Sequence, residues 1–241
     1  MQRSKTGDYV IERGQTEIIR DKALALRAEC FRDGREDSDA FDSAADHVVI
    51  SKEGLGPLAA FRILVFPNGA ETHSGYSAQF YDLANLSIVK RHCLEIGRFC
   101  TQPKHPDPNL IRFAWGAISG AVQDYDAELL FGCSSFAGNE PETINDALVL
   151  LRDEYLAPKT LAPRRKAKET CDLADLNGIA DRRTALMQMP PLLKTYLRMG
   201  GWVSDHAVID RDLRTMHVFT GVEVARIPAA RQSSVMKDAR R

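Results

Sequence analysis

Apolar residues run continuously in some parts of this chain and recur at helical spacing in others. LEIGRFC (94–100) and LLFGCSSFAG (129–138) are apolar runs punctuated by glycine, and such runs predict strands buried on both faces. Residues 110–122 lie between them, with apolar positions at the three- and four-residue spacing of a helix. TEIIRDKALALRAECFR has the same spacing, with Thr16 as a candidate N-cap. YVIERG alternates and opens a strand. HVVISKEG and PLAAFRILVFP predict a hairpin turned by Glu53-Gly54-Leu55-Gly56. Further helices are expected over 140–155, with Asn139 as cap, and over 190–199, with proline in the first turn and Gly200-Gly201 at the end. WVSDHAVI and MHVFTGVEV close the chain as two strands. Strands and helices alternate without an internal repeat, so the expectation is a single mixed α/β domain over 1–241. Residues 1–8 are expected to fray, and 158–185 read as a mobile basic insert centred on Arg164, Arg165, Lys166 and Lys168.

Composition narrows the class. Hydrophobic residues make up 44% and charged residues 27% of 241, as in globular proteins with a full core. No run is long and apolar enough to predict a transmembrane helix, and MQRSKTGDYVIERG has no signal-peptide core, so a cytoplasmic protein is expected. The five cysteines are odd in number and lack metal-ligand spacing. A net charge of −1 favours no nucleic-acid partner.

Glu95 and Arg98 are the candidates for chemistry. Two ionisable residues in one apolar strand are tolerated only if paired or hydrogen-bonded, so they mark either a structural ion pair or a site. Ser134 and Ser135 end the next apolar run, either as a strand entering a turn or as small residues that let a ligand approach. No GxSxG elbow accompanies them, and no His or Lys neighbours Cys133 to activate it. The six histidines show no HxxxH or HExxH spacing, and His206, between Asp205 and Asp210, stands out among them. The loop after the Glu95 strand lacks the glycine-rich pattern that grips a CoA pyrophosphate.

LEIGRFC, LLFGCSSFAG and MPPLLKTYLRMGGWVSDHAVID resemble, in that order, the ornithine-acyl carrier protein N-acyltransferases, GNAT-like enzymes related to the acyl-homoserine-lactone synthases. The resemblance covers residues 18–227. It implies a GNAT-like α/β fold with a mixed central sheet flanked by helices. It also implies transfer of a 3-hydroxyacyl chain from acyl carrier protein to the α-amine of ornithine, the first step of ornithine lipid synthesis. No tightly bound cofactor is implied, and the acyl-phosphopantetheine of the carrier protein is the donor. Carried over residue by residue, Glu95 and Arg98 are catalytic. Arg27, Phe31, Asp42, Asp46 and Arg62 bind the acceptor, with Asp39 in the same acidic cluster. Phe99, Cys100, Trp115, Gly132, Ser134 and Ser135 bind the acyl-pantetheine arm. The basic residues Lys104, Arg112, Arg164, Arg165 and Lys166 are candidates for docking the acidic carrier protein. Where the family has a Tyr-Arg pair, this chain reads Pro-Lys-His-Pro-Asp-Pro (103–108), which keeps glutamine open as acceptor. An acyl-homoserine-lactone synthase and a non-catalytic carrier- or lipid-binding module are the other readings. The amphipathic 190–199 helix offers a route to peripheral contact with the membrane's inner face.

Overall fold

Element boundaries fall where the sequence punctuates them. The computed structural model describes residues 1–228. Strands β1 (Gln2–Thr6) and β2 (Tyr9–Gly14) precede helix α1 (Glu17–Phe31), and β3 (Asp46–Lys52) and β4 (Gly56–Phe66) form the expected hairpin. After a two-residue strand β5 (Tyr81–Asp82) come β6 (Cys93–Thr101), α2 (Asn109–Asp124) and β7 (Leu129–Ala137). Helix α3 (Asn145–Glu154) leads to β8 (Arg164–Arg165), β9 (Thr170–Asp172), α4 (Arg182–Gln188) and α5 (Pro191–Arg198), and β10 (Trp202–Asp210) and β11 (Thr215–Glu223) follow.

The chain divides into two compact units where one domain was expected: residues 1–65 with 94–127, and residues 66–93 with 128–228. In the first unit the strands run in the order β1-β2-β3-β4-β6. Residues 1–8, expected to fray, include β1, whose five residues pair antiparallel with β2. Asp46 to Ile50 of β3 are all buried, because helices cover both sides of the strand. Val49 packs with Ile19, Ala23 and Leu26 of α1, while α2 also packs against β3. Neighbouring residues of a strand point to opposite faces, so this run has no exposed alternation. Helix α1 ends in a turn where Gly34 N–H donates to Ala28 O at 2.9 Å and Asp33 has φ of 51°. That bond, from Gly34 back six positions to Ala28, closes the helix end, with Asp33 in the left-handed conformation that Asp tolerates better than most residues.

The second unit has the strand order β7-β11-β10-β9, with β5-β8 as a separate ribbon. Its core packs Leu148 and Leu151 of α3 and Leu193 and Leu197 of α5 against Val203, Val218 and Phe136. The 158–185 segment is thus held by pairing: Arg164–Arg165 pair with Tyr81–Asp82, and Thr170–Asp172 extend the sheet alongside β10. The helix expected from residue 140 starts at Asn145, because Pro141–Ile144 wind as a 3₁₀ turn first.

Two glycines test this packing. A Cβ at Gly221 of β11 would lie 2.4 Å from the Trp202 indole, whereas one at Gly116 of α2 meets nothing within 4 Å. Gly221→Ala should therefore lose roughly 1–3 kcal/mol of stability. Gly116→Ala should gain up to about 1 kcal/mol from helix propensity. Denaturant midpoints decide the matter, and equal midpoints for Gly221→Ala and wild type would refute the close approach.

Candidate active site

Glu95 lies mid-strand in β6 and is 2% exposed. Three residues on, Arg98 has φ of 55°. A left-handed, non-glycine residue inside a strand interrupts the pleat and is disfavoured by about 1–2 kcal/mol, so surrounding bonds must hold it. Arg98 Nη2 donates to Asp39 Oδ2 at 3.1 Å, and its Nε stands 3.8 Å from Asp37 Oδ2. Arg62, reaching from β4, lies over β6, where a Cβ on Gly97 would be 3.8 Å from its Nε.

These contacts belong to a buried network between α1, β4, β6 and the irregular segment 33–45. Arg27 donates through Nε to Asp37 Oδ2 at 2.8 Å and through Nη1 to Asp42 Oδ1 at 2.6 Å. Arg62 Nη1 donates to the same Asp42 oxygen at 2.8 Å, and both its Nη groups reach Asp39. Arg32 adds a bond to Asp37 Oδ1 at 3.2 Å. Arg27 and Arg62 are each 1% exposed. Burial alone would raise the Asp39 pKa, but the hydrogen bond and charge of Arg62, with Phe41 N–H and Arg98, bring it down to about 2. Asp42 is also lowered: burial opposes this, and Arg27 and the Asp39 N–H outweigh it.

This geometry revises the sequence reading of Asp42 and Asp46. Asp42 accepts from Arg27 Nη1 and Arg62 Nη1 on one oxygen, and from Arg27 Nη2 at 3.3 Å and Asp39 N–H at 2.9 Å on the other. Its four lone-pair positions are engaged and its side chain is 5% exposed; Asp39 also accepts four bonds, from Phe41 N–H, both Arg62 Nη groups and Arg98, but keeps 21% exposure. Asp46 stands apart from the network. It accepts from the Tyr125 hydroxyl at 2.9 Å and faces Arg13 Nε at 3.6 Å. Phe31 packs at the edge of the α1 core beside Cys30. Asp37, one acid among several in GREDSD, and Arg32 are the network members that sequence reasoning passed over.

The expected donor-binding residues fall three in each unit. Cys100 is buried under α1, Trp115 is buried on α2, and the Phe99 ring lies 6.0 Å from Phe61. In the second unit Gly132 is buried, and Ser134 and Ser135 point to opposite faces of β7. Ser134 accepts a hydrogen bond from Thr220 at 2.9 Å, while Ser135 is exposed. Among the basic residues, Lys104 is exposed in the turn after β6 and Arg112 stacks over Phe113 at 4.7 Å. Arg165 pairs with Asp172, and Lys166 donates to Ala78 O at 2.6 Å, so both are used within the chain. Arg164 is exposed beside Asp82. The apolar face of α5 is buried, with Leu193, Tyr196 and Leu197 turned inward, which removes that helix as a membrane-facing surface. No helix among the described residues is long and apolar enough to cross a membrane.

A family model described as an acetyltransferase (GNAT) domain matches residues 24–116, the stretch that holds the whole network from Arg27 to Arg98. An L-ornithine N(alpha)-acyltransferase of Rhodobacter capsulatus is 35% identical over 192 residues, covering 77% of this chain and 74% of that protein. The chain belongs to the L-ornithine N(alpha)-acyltransferase family. The family's Agrobacterium fabrum protein is 30% identical over 223 residues, covering 87% of this chain and 74% of its own. Among solved structures, TofI in an apo form aligns with a TM-score of 0.52 at 11% identity over 94% of this chain and 95% of that one, a likeness of fold alone. The GNAT α/β fold and the family expected from the sequence are borne out.

Buried histidines and the carboxylates of the network together set the chain's acid sensitivity. Burial lowers the pKa of His217 to about 4 and lowers that of His47 and His206. A histidine whose folded pKa is depressed gives up stability as pH falls from its unfolded value near 6.5 toward the folded one. Asp39 and Asp42 act lower. Their stabilisation is complete above pH ~4 and is lost as pH falls toward the Asp39 value of about 2. Stability against urea should therefore decline in two stages, below pH ~6.5 and again below ~4. Arg62→Ala, which strands buried carboxylates, should cost roughly 3–5 kcal/mol at pH 7. A flat profile from pH 7 to 3 would contradict both assignments.

Proposed function

We propose that this chain transfers an acyl group from acyl carrier protein to the α-amine of L-ornithine, giving the N-acyl amino acid that begins ornithine lipid synthesis. The observation that carries this reading is the 35% identity to an L-ornithine N(alpha)-acyltransferase over 77% of the chain. The amine nitrogen attacks the thioester carbonyl, a C–N bond forms, the C–S bond breaks, and the carrier's thiol leaves with a proton. An α-amine with pKa about 7.7–8.0 is already partly neutral at pH 7, so a modest base suffices. Glu95 takes the amine proton, directly or through water, and Arg98 acts beside it. Arg27, Arg62 and Asp42 hold the 33–45 segment as a wall of the acceptor region, and Asp39 is the carboxylate turned to the acceptor. Its side chain keeps 21% exposure while those of Asp37 and Asp42 keep 2% and 5%.

The start of α2 supports a protein-borne donor. Asp107 accepts from the Asn109 N–H at 2.9 Å, so a carboxylate already occupies the helix N-terminus. A CoA pyrophosphate would be repelled there, whereas phosphopantetheine on a carrier protein brings no pyrophosphate. Lys104 and Arg164 are exposed basic candidates for carrier docking, Arg164 also donating to Asn85 Oδ1 at 3.2 Å.

Two experiments test the reading. Glu95→Gln should keep the fold and lower kcat about 10²–10⁴-fold with ornithine and acyl carrier protein thioester. A folded variant at the wild-type rate would remove Glu95 from the chemistry. Offered ornithine and glutamine in parallel, the wild type should favour ornithine, and Asp39→Asn should reduce that preference. Preference for glutamine would refute the acceptor, and equal rates from acyl-CoA and carrier-protein thioester would refute the donor.

A further inference from the structure

Cys30 and Cys100 both lie in the first unit, and the transfer chemistry above uses neither thiol. The last turn of α1 is bonded to the end of β6 at two successive positions. Gln102 Nε2 donates to Glu29 Oε2 at 2.8 Å, and Cys30 Sγ donates to the Thr101 carbonyl at 3.3 Å. Cys100, the neighbour of Thr101, belongs with Leu26 and Ala60 to the buried cluster against which Cys30 packs. The two thiols share a hydrogen bond, and the Cys100 sulfur also accepts from the Ala60 N–H.

The pair is asymmetric. Cys30 is half-buried, whereas Cys100 is 5% exposed. The bond from Cys100 favours the Cys30 thiolate, lowering its pKa against burial and the nearby Glu29. Cys100 is pushed well up, first by that same bond and then by burial. Burial likewise raises Cys93, to about 12, and Cys171. The thiolate is the nucleophilic form, so an oxidant reacts at Cys30 first. A partly accessible thiol of lowered pKa, bonded to a second thiol that can displace oxygen from it, is the arrangement found in oxidation sensors.

We propose that peroxide joins Cys30 and Cys100 in a reversible disulfide, and that this bond slows acyl transfer by drawing β6 and α1 together. The Cys30 thiolate attacks a peroxide oxygen and the O–O bond breaks. A sulfenic acid forms, and the departing hydroxide takes up a proton as water. The Cys100 sulfur then attacks the sulfenic sulfur. The S–S bond forms, the S–O bond breaks, and a second water leaves with the Cys100 proton. Two thiols are thereby oxidised and one peroxide is reduced.

A disulfide holds its sulfurs about 2.05 Å apart, closer than hydrogen-bonded thiols stand, so one of the two elements must move. Cys30 follows Arg27 by three residues and Cys100 follows Arg98 by two, so the movement reaches the Arg27–Asp42 and Arg98–Asp39 bonds. Misplacement by about 1 Å in a site that orients reactants costs up to roughly 10²-fold in rate. The loss of turnover rests on the acyl-transfer reading above, whereas the disulfide itself does not.

The test treats the reduced full chain with a slight excess of hydrogen peroxide. Thiols titrated in denaturant should fall from five to three, and peptide mapping should find Cys30 linked to Cys100. Turnover of ornithine with acyl carrier protein thioester should drop about ten-fold or more in step with the linkage. Dithiothreitol should restore both. Cys30→Ser should turn over like reduced wild type and keep its rate in peroxide. Cys100→Ser should leave Cys30 as a sulfenic acid that dimedone traps. Five surviving thiols, linkage of a different pair, or a linked enzyme at the full rate would each overturn the inference. A reduced wild type that does not acylate ornithine overturns the functional reading, and the thiol count still decides the disulfide.

Discussion

The chain between α1 and β3 has no helix or strand to order it, and buried guanidinium–carboxylate bonds fix its path. Ordering each residue of such a segment costs roughly 1–2 kcal/mol of backbone entropy. Asp37, Asp39 and Asp42 meet that cost through Arg27 of α1, Arg62 of β4 and Arg98 of β6. Because the arginines sit on three regular elements, the irregular segment inherits their rigidity. Buried ion pairs give little net stability over apolar packing, yet losing one partner is severe. The network therefore acts chiefly as a specifier of geometry, and the charge balance among its members makes substitution at any of them conspicuous.

The same bonds bear on the backbone of β6. Arg98 adopts a left-handed φ that an arginine would not choose, and its guanidinium is held by the carboxylates that order the loop. A strand broken at Arg98 aims Glu95 and Phe99 independently of strict alternation. Loop order and strand distortion are two results of one set of contacts. This explains why Glu95 and Arg98 stand out together in the sequence even though Arg98 turns to Asp39 and Asp37.

What the sequence disclosed followed the range of the interactions involved. Periodicity located α1, α2, α5, the β3–β4 hairpin and the two closing strands, since each is set by residues a few positions apart. The short pieces β1, β8 and β9 were misread as frayed or mobile. They are polar, and only pairing with distant partners such as β2, β5 and β10 makes them strands. The site divides in the same way. An acid and an arginine in an apolar strand were legible as an anomaly. Asp42 and Asp39 each accept four hydrogen bonds, yet Asp42 keeps 5% exposure and Asp39 21%, and no spacing rule encodes which of them reaches solvent. Tyr81 and His217 lie 136 residues apart, and their contact left no local trace.

The two units solve opposite electrostatic problems. The first buries full charges and neutralises them with one another, so that a solvent-touching carboxylate, Asp39, keeps its charge well below neutral pH. The second buries rings that burial itself keeps uncharged, and orients their protons with Tyr81 and Asp205. The amino acid is ionic and needs fixed charges to orient it, whereas the acyl chain is neutral and is sorted only by shape and hydrogen bonding. The thioester is already activated, and the α-amine is partly deprotonated at neutral pH. Little chemical assistance is then required, and most of the acceleration must come from holding the reactants in register. A scaffold of saturated, buried polar contacts suits that task, because each of its groups is fixed before either substrate arrives.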